Sequence, residues 1–181
     1  MNEELEALKI VAQILDKAGF LYMISGSLAA NYYSVPRMTR DIDIVIELKS
    51  GNVGHFKQVF EKDFFVDEDM LENEIKKNGM FNLIHKEFLI KIDFILRKVS
   101  LFQDNTFKRR RKVTIDGVPM YLISPEDLIL AKLLWSQDSH SELQLNDVRN
   151  LLKTVSPLDH DYLKDWIPQL QLEGIYKKVQ S

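Results

Sequence analysis

The 181-residue sequence contains no cysteine, which excludes disulfides, thiol catalysis and cysteine-bound metals and fits a reducing compartment. Basic residues are not in excess: 24 Lys and Arg against 27 Asp and Glu give a net charge of −3, so no overall positive field attracts nucleic acid. No apolar run approaches the length of a membrane span, and the acidic, amphipathic start of the chain does not resemble a signal peptide. We therefore expect a cytoplasmic protein without a membrane partner.

The remaining composition is that of an ordinary globular protein, with 45% hydrophobic and 28% charged residues. The length suggests one compact domain, or one domain with a small appendage. The four histidines are scattered and show no metal-ligand spacing. Candidate metal ligands are therefore to be sought among the carboxylates.

Hydrophobic spacing predicts an α+β fold, with a mixed or antiparallel β-sheet flanked by helices and a small helical part at the C-terminal end. We place the boundary at 122, which gives a catalytic α/β domain over 1–122 and a helical subdomain over 123–181. From Ser124 onward the pattern is helical, with breaks expected near 136–141, at Ser156-Pro157 and at Pro168. The predicted elements before that are a helix ending at Gly19, a strand over 20–24, a helix over 28–34, a strand over 41–48, helices over 53–60 and 69–77, and hairpins over 80–96 and 112–123.

Three aspartates lie on strands whose other face is aliphatic. Asp41 and Asp43 alternate with isoleucines in DIDIVIEL, and Asp93 does the same in FLIKIDFIL. Side chains two residues apart on a strand lie on the same face of the sheet, so Asp41 and Asp43 are expected close together. Asp93 can join them from a second strand. Converging carboxylates repel one another unless they reach solvent, hold a proton or bind a divalent cation such as Mg²⁺. The ordinary alternative is a solvated sheet face that happens to carry aspartates.

Gly26 and Ser27 end a predicted strand and open a helix, upstream of the paired aspartates. Backbone N–H groups at such a helix N-terminus bind phosphate, and glycine allows a ligand to approach the main chain closely. Many strand-to-helix turns contain Gly and Ser, so this pair alone is weak evidence for phosphate binding. It is informative here because it precedes the paired aspartates.

Gly26-Ser27, a gap of thirteen residues, then Asp41-Ile42-Asp43-Ile44 and the later Asp93 together resemble the signature of the DNA polymerase β-type nucleotidyltransferase superfamily. Within it, the sequence is most similar to the minimal bacterial group related to the AbiEii toxins. That closer similarity rests on Arg37-x-Thr39-x-Asp41-Ile42-Asp43, on SPEDLILAKLL over 124–134 and on NDVRNLL. The second glycine of the family pattern is Ser27 here, and the helical tail is short.

The resemblance implies a catalytic triad of Asp41, Asp43 and Asp93 that holds two Mg²⁺ ions, with Mn²⁺ as a substitute. It implies that Gly26 and Ser27 cradle the phosphates of a nucleoside triphosphate. The further nucleotide-binding residues that we expect are Arg40, Lys132 and Asp147.

Each of these further residues has a simpler alternative. Lys132 can extend its stem along the core to reach solvent, and Asp147 can lie on a solvated helix face. Arg37 and Arg40 can bind phosphate or merely neutralise Asp41. The basic run FKRRRKV over 107–113 can touch a triphosphate or an RNA backbone, although a solvated strand entrance is the more ordinary interpretation.

The function expected from the sequence is transfer of a nucleoside monophosphate from a triphosphate to an acceptor hydroxyl, with release of pyrophosphate. The acceptor is left open among RNA, protein and a small molecule. Two alternatives stand beside it: a toxin–antitoxin or regulatory module that binds a partner such as an antitoxin protein, and an antibiotic-modifying nucleotidyltransferase.

Overall fold

The structure, a computed structural model, describes residues 3–180. Its strands are β1 (Tyr22–Ile24), β2 (Ile42–Ile46), β3 (Phe64–Phe65), β4 (Met80–His85), β5 (Lys91–Leu96), β6 (Arg111–Ile115) and β7 (Val118–Leu122). Its helices are α1 (Glu3–Ala18), α2 (Gly26–Tyr33), α3 (Val53–Phe60), α4 (Glu68–Lys77), α5 (Leu101–Lys108), α6 (Pro125–Ser139), α7 (Glu142–Thr154), α8 (His160–Gln169) and α9 (Glu173–Gln180), with a 3₁₀ turn over Ser50–Asn52.

The strands form one seven-stranded mixed sheet in the order β3-β4-β5-β2-β1-β7-β6. The pairs β2–β5 and β1–β7 are parallel, and the other pairs are antiparallel. The predicted α+β class with a mixed, helix-flanked sheet is confirmed. The elements absent from the prediction are β3 and α5, and the break predicted at Pro168 comes one residue later because that proline lies in the last turn of α8.

One face of the central strands is a hydrophobic core. Ile42, Ile44 and Ile46 of β2 are fully buried. On the neighbouring strands, the rings of Phe81 and Phe94 pack against the α3 ring of Phe56. Because side chains alternate along a strand, this burial fixes the other face of β2 and β5 as the one that carries the aspartates.

The predicted boundary at 122/123 falls between β7 and α6. Helix α6 packs on α2, α7 and α8, so the C-terminal helices lie against the helix that opens at Gly26. A single cluster of buried hydrophobic residues includes members of both parts of the chain. The division into two domains stays a prediction.

The start of α6 is fixed by a buried polar cluster. Ser124 is the N-cap and accepts a hydrogen bond from the Asp127 N–H at 3.2 Å, with Pro125 in the first turn, as the sequence predicts. Asp127 is fully buried, and its carboxylate also accepts hydrogen bonds from the side chains of Thr106 and Tyr162. These contacts join α5, α6 and α8.

The basic run over 107–113 supplies the counter-charges for this cluster. Arg109 pairs with Glu126 and with Asp127, at 3.2 Å in each case, and Arg111 pairs with Glu126 at 3.3 Å. Arg110 lies over the rings of Phe107 and Tyr121. Arg109 and Arg110 are half-buried and have a structural role in the fold, so the interpretation of the run as a solvated strand entrance is wrong for these two. Arg111 is the first residue of β6 and is exposed, which agrees with that interpretation, although it also pairs with Glu126.

Replacing Asp127 with alanine should lower the free energy of unfolding by about 2–4 kcal/mol, because Thr106, Tyr162 and Arg109 all lose a fully buried hydrogen-bond acceptor. The exposed Lys112, in the same basic run, is the matched control. Lys112→Ala should change stability by no more than about 0.5 kcal/mol. Urea unfolding of the two variants measures the difference, and equal midpoints would refute the structural role of the cluster.

Candidate active site

Two of the predicted aspartates lie side by side on parallel strands. Asp43 of β2 and Asp93 of β5 are partners in the strand register, so their side chains leave the same face of the sheet. Asp93 is buried, with 8% of its surface exposed, and Asp43 is half-buried. Asp41 precedes β2 and is exposed. The structure thus brings the three carboxylates to one face, as the strand period predicts.

The electrostatics of this face are dominated by negative charge that is only partly compensated. Burial raises the pKa of Asp43, and the neighbouring charges of Asp93 and Asp41 raise it further. Lys132 and Lys91 offset only part of this effect. Three ionised carboxylates without a cation are therefore unfavourable on this face, and a bound cation would reduce their repulsion.

Gly26 is required by the position of Asp43. A Cβ atom placed on Gly26 would lie 1.9 Å from Oδ2 of Asp43, and the φ of Gly26 is +61°, in the left-handed region. The main chain is tied to the same strand, because the N–H of Ser25 donates to the carbonyl of Asp43 at 2.9 Å. The start of α2 and the Asp43 carboxylate are thereby held in contact.

The N-terminus of α2 is open to a ligand. The first N–H groups of a helix have no partner within it, and here they include those of Gly26 and Ser27. Ser25, at the N-cap, makes no side-chain capping bond. Ser25, Gly26 and Ser27 line the same cleft as Asp43, so these donors lie beside the carboxylates.

Gly26→Ala should destabilise the protein by about 1–3 kcal/mol, through the clash with Asp43 and the unfavourable φ. Gly54, exposed in α3, is the matched glycine, because a Cβ atom placed there would have no atom within 4 Å. Gly54→Ala should instead be neutral or stabilise by up to about 1 kcal/mol. Thermal unfolding of both variants tests the pair; a harmless Gly26→Ala would contradict the close approach.

A network of ion pairs links the start of α2 to the C-terminal helices. Arg37 donates from Nε and Nη2 to the two carboxylate oxygens of Asp147, at 2.9 and 3.0 Å. The same Nη2 donates to Oγ of Ser27 at 2.6 Å. Lys132 of α6, itself buried, donates to Asp147 at 2.9 Å and to Gln144 at 2.6 Å.

Asp147 is the shared anion of this network. Burial alone would raise the pKa of Asp147, but the hydrogen bonds from Arg37 and Lys132 outweigh it and hold that pKa below its ordinary value. Burial lowers the pKa of Lys132, and the bond to Asp147 only partly opposes this. The surface alternatives for both residues are wrong, since Asp147 and Lys132 are 6% and 3% exposed.

Arg37 contacts the site through Ser27 and Asp147, and the sequence prediction did not include it in the nucleotide-binding set. Its backbone is held by Asn31, whose side-chain amide donates to the Arg37 carbonyl at 2.7 Å and accepts from the Arg37 N–H at 3.0 Å. The signal in the sequence was its place in the Arg-x-Thr-x-Asp-Ile-Asp stretch. Arg40, which was predicted, is exposed and lines a separate cleft with Arg37 and Thr39.

Arg37→Ala should lower the free energy of unfolding by on the order of 2–3 kcal/mol, because Asp147 loses two charged hydrogen bonds while remaining buried. Arg40→Ala removes the same charge three residues away and should be close to neutral. Chemical denaturation of both variants gives the comparison. Equal losses in the two variants would show that net charge, and not the pairing with Asp147, sets the effect.

The cleft has a volume of about 400 Å³ and a lining of mixed chemistry. Its charged and phosphate-binding candidates are the aspartates, Gly26, Ser27, Lys91 and Lys132. Its apolar lining comes from the sheet and from α6: Val45, Met80, Ile95, Leu96, Leu128, Ala131 and Trp135. Lys98, Gln103 and Gln144 add polar groups. Asp147 reaches this cleft through its bond to Lys132.

The predicted metal ligands are close on the sheet but are not arranged as a ligand set. Within residues 3–180, no group of three or more His, Asp or Glu side chains has an arrangement that could hold a metal ion as it stands. Lys91 pairs with Oδ2 of Asp93 at 2.7 Å. The donor chemistry, carboxylate oxygens whose charge the lysines compensate only in part, fits a hard divalent cation. The three-aspartate metal site stays a prediction.

The sequence matches, over residues 4–180, the family described as "Nucleotidyl transferase of unknown function (DUF2204)". The chain belongs to this nucleotidyl transferase family. No match is found among curated proteins. Family membership agrees with the superfamily that the Gly-Ser and Asp-x-Asp motifs resemble, whereas the AbiEii-like subgroup is a finer assignment.

Solved structures with the same fold are also nucleotidyltransferases. An antigenic nucleotidyltransferase-like protein from Paracoccidioides brasiliensis is 19% identical, with a TM-score of 0.58 over 98% of this chain and 92% of that one. The lincomycin-bound lincosamide adenylyltransferase LnuA is 15% identical, with a TM-score of 0.56 over 86% and 98%. ANT(2'')-Ia in complex with adenylyl-2''-tobramycin is 14% identical, with a TM-score of 0.60 over 94% and 98%. At these identities the likeness establishes the nucleotidyltransferase fold.

No helix within the described range 3–180 has the length and apolar character needed to cross a membrane.

Proposed function

We propose that this protein is a Mg²⁺-dependent nucleotidyltransferase that moves a nucleoside monophosphate from a triphosphate to an acceptor hydroxyl. The observation that carries the proposal is the juxtaposition of Asp43 and Asp93, in register on parallel strands, with the open N-terminus of α2 at Gly26. Carboxylates beside free backbone N–H groups suit a metal-bound triphosphate, because the first bind the cation and the second bind phosphate oxygens. Membership of the nucleotidyl transferase family supports the same reaction.

In this proposal the residues of the cleft divide the work of the reaction. Asp41, Asp43 and Asp93 would hold the divalent cation, which when bound neutralises phosphate charge and polarises the α-phosphate. The N–H groups of Gly26 and Ser27 would orient the outer phosphates. Lys132, held by Asp147, places a positive charge in the same cleft. The apolar lining residues would accommodate the uncharged part of a substrate.

The bond changes follow from this placement. The acceptor oxygen attacks the α-phosphorus as its proton passes to Asp93, and the bond from that phosphorus to the bridging oxygen breaks. Pyrophosphate leaves with the bonding electrons. Catalysis then rests on positioning and charge neutralisation, as is general for phosphoryl transfer.

Asp43→Asn should reduce Mg²⁺-dependent transfer from α-³²P-labelled triphosphates by roughly 10²–10³-fold, because a charged ligand is lost while the side-chain shape is kept. The label should be followed onto a panel of acceptors, with the four common ribonucleoside triphosphates tried in turn. Glu72→Gln, at an exposed position of α4, is the matched carboxylate-to-amide control. Equal transfer by wild type and Asp43→Asn would refute the proposal.

The same variant should be more stable than the wild type in metal-free buffer at neutral pH. The pKa of Asp43 is raised in the fold by burial, Asp93 and Asp41, so its charged form destabilises the folded state at pH values above that pKa. The advantage of Asp43→Asn should shrink as the pH falls through the raised pKa, because Asp43 then becomes neutral too. Melting temperatures with chelator present, measured from about pH 8 down to about pH 4, check this dependence. An advantage that stays constant over that range would contradict it.

The acceptor panel also separates the finer proposals. Labelled RNA or protein would support the AbiEii-like assignment, in which the protein is a toxin paired with an antitoxin. Labelled aminoglycosides or lincosamides would support antibiotic modification, the activity named for LnuA among the solved neighbours. If calorimetry finds no binding of Mg²⁺ with any triphosphate, the alternative of a partner-binding module is favoured.

A further inference from the structure

Lys91 is a cleft residue that pairs with one of the carboxylates proposed to bind the cation. It is the first residue of β5, two positions before Asp93, so the strand period places both side chains on the same face. Its ammonium lies 2.7 Å from Oδ2 of Asp93. The Lys91 side chain is 49% exposed, whereas that of Asp93 is 11% exposed. A partly exposed cation therefore covers the most buried of the three carboxylates.

All three aspartates attract the Lys91 ammonium. The hydrogen bond to Asp93 is the largest favourable interaction, and the charges of Asp41 and Asp43 add to it. Opposite charges at contact distance attract each other strongly even near a protein surface, before the costs of desolvation and lost side-chain freedom are counted. Lys91 thus serves the three carboxylates as a counter-ion supplied by the chain itself.

The counter-ion occupies an oxygen that the proposed cation needs. In the described part of the chain no group of three or more His, Asp or Glu side chains is arranged to hold a metal ion as it stands, and Oδ2 of Asp93 is paired with Lys91. A metal ion that binds Asp93 in the free protein breaks this ion pair and leaves Lys91 without its partner. With a triphosphate bound, the loss is smaller, because Lys91 lines the same cleft as Gly26 and Ser27 and can pair with a phosphate oxygen instead.

We propose that Lys91 is a built-in competitor of the divalent cation, which keeps the affinity for free metal low and makes metal uptake depend on the arrival of the triphosphate. The inference rests on the proposed function for the identity of the site, but it concerns metal affinity and not transfer. By linkage, a triphosphate that draws Lys91 away from Asp93 raises metal affinity by the same factor as metal raises triphosphate affinity.

The test is Mn²⁺ binding to the nucleotide-free protein, followed by the electron paramagnetic resonance signal of free Mn²⁺. Lys91→Met keeps most of the length of the side chain and removes its charge, and should bind Mn²⁺ about tenfold more tightly than the wild type. Lys98→Met is the matched control, because Lys98 lines the same cleft and is exposed. It should leave the Mn²⁺ affinity within about twofold of the wild type, since the effect of an exposed charge is screened by salt.

A second measurement separates metal binding from any change in the stability of the variant itself. Saturating Mn²⁺ should raise the melting temperature of Lys91→Met more than that of the wild type or Lys98→Met, each compared with its own metal-free sample. Adding a non-hydrolysable triphosphate should increase Mn²⁺ affinity strongly in the wild type and much less in Lys91→Met, because the competitor is already absent.

The inference is overturned if Lys91→Met binds Mn²⁺ no more tightly than the wild type, more weakly, or not at all, or if Lys98→Met shows the same gain. None of these outcomes decides the proposed function, which is judged by transfer of labelled nucleotide. Conversely, tight Mn²⁺ binding by Lys91→Met, with no transfer by the wild type, would support the competitor and count against the enzyme.

Discussion

The parallel pairing of β2 with β5 is the constraint on which the rest of the site depends. It sets Asp43 beside Asp93, and the burial of the isoleucines on the opposite face prevents either strand from turning its carboxylates away. Hydrophobic packing therefore stabilises an arrangement that electrostatics opposes. The raised pKa of Asp43 reflects this opposition, and the surrounding cations, Lys132 and Lys91, relieve part of it.

Features that depend on local sequence patterns could be predicted from the sequence alone. Alternation along DIDIVIEL and FLIKIDFIL placed the aspartates on one face, and the Ser124-Pro125 start of α6 followed from capping preferences. The superfamily followed from the spacing of Gly26-Ser27 and Asp41. The same strand period already put Lys91 on the face of Asp93, so this pair was a signal that could have been used.

Features that depend on distant partners could not be predicted in this way. Arg37 and Asp147 are 110 positions apart, and nothing in either local pattern indicates that they meet. Arg109 looked like part of a solvated or ligand-binding run because its partners, Glu126 and Asp127, belong to another element. Helix α5 was missed since its short sequence exposes Leu101 while burying Phe102 and Phe107, which weakens its helical pattern.

The position of Asp147 has a consequence for how the two halves of the protein depend on each other. This single carboxylate holds Arg37, from the loop before β2, and Lys132, from α6, yet it belongs to α7. A chain that ended before α7 would keep both cations and lose their shared anion. Two unneutralised positive groups would then stand beside the start of α2 and attract any polyanion, so α7 supplies the charge balance of the cleft through Asp147 as well as part of its wall through Gln144.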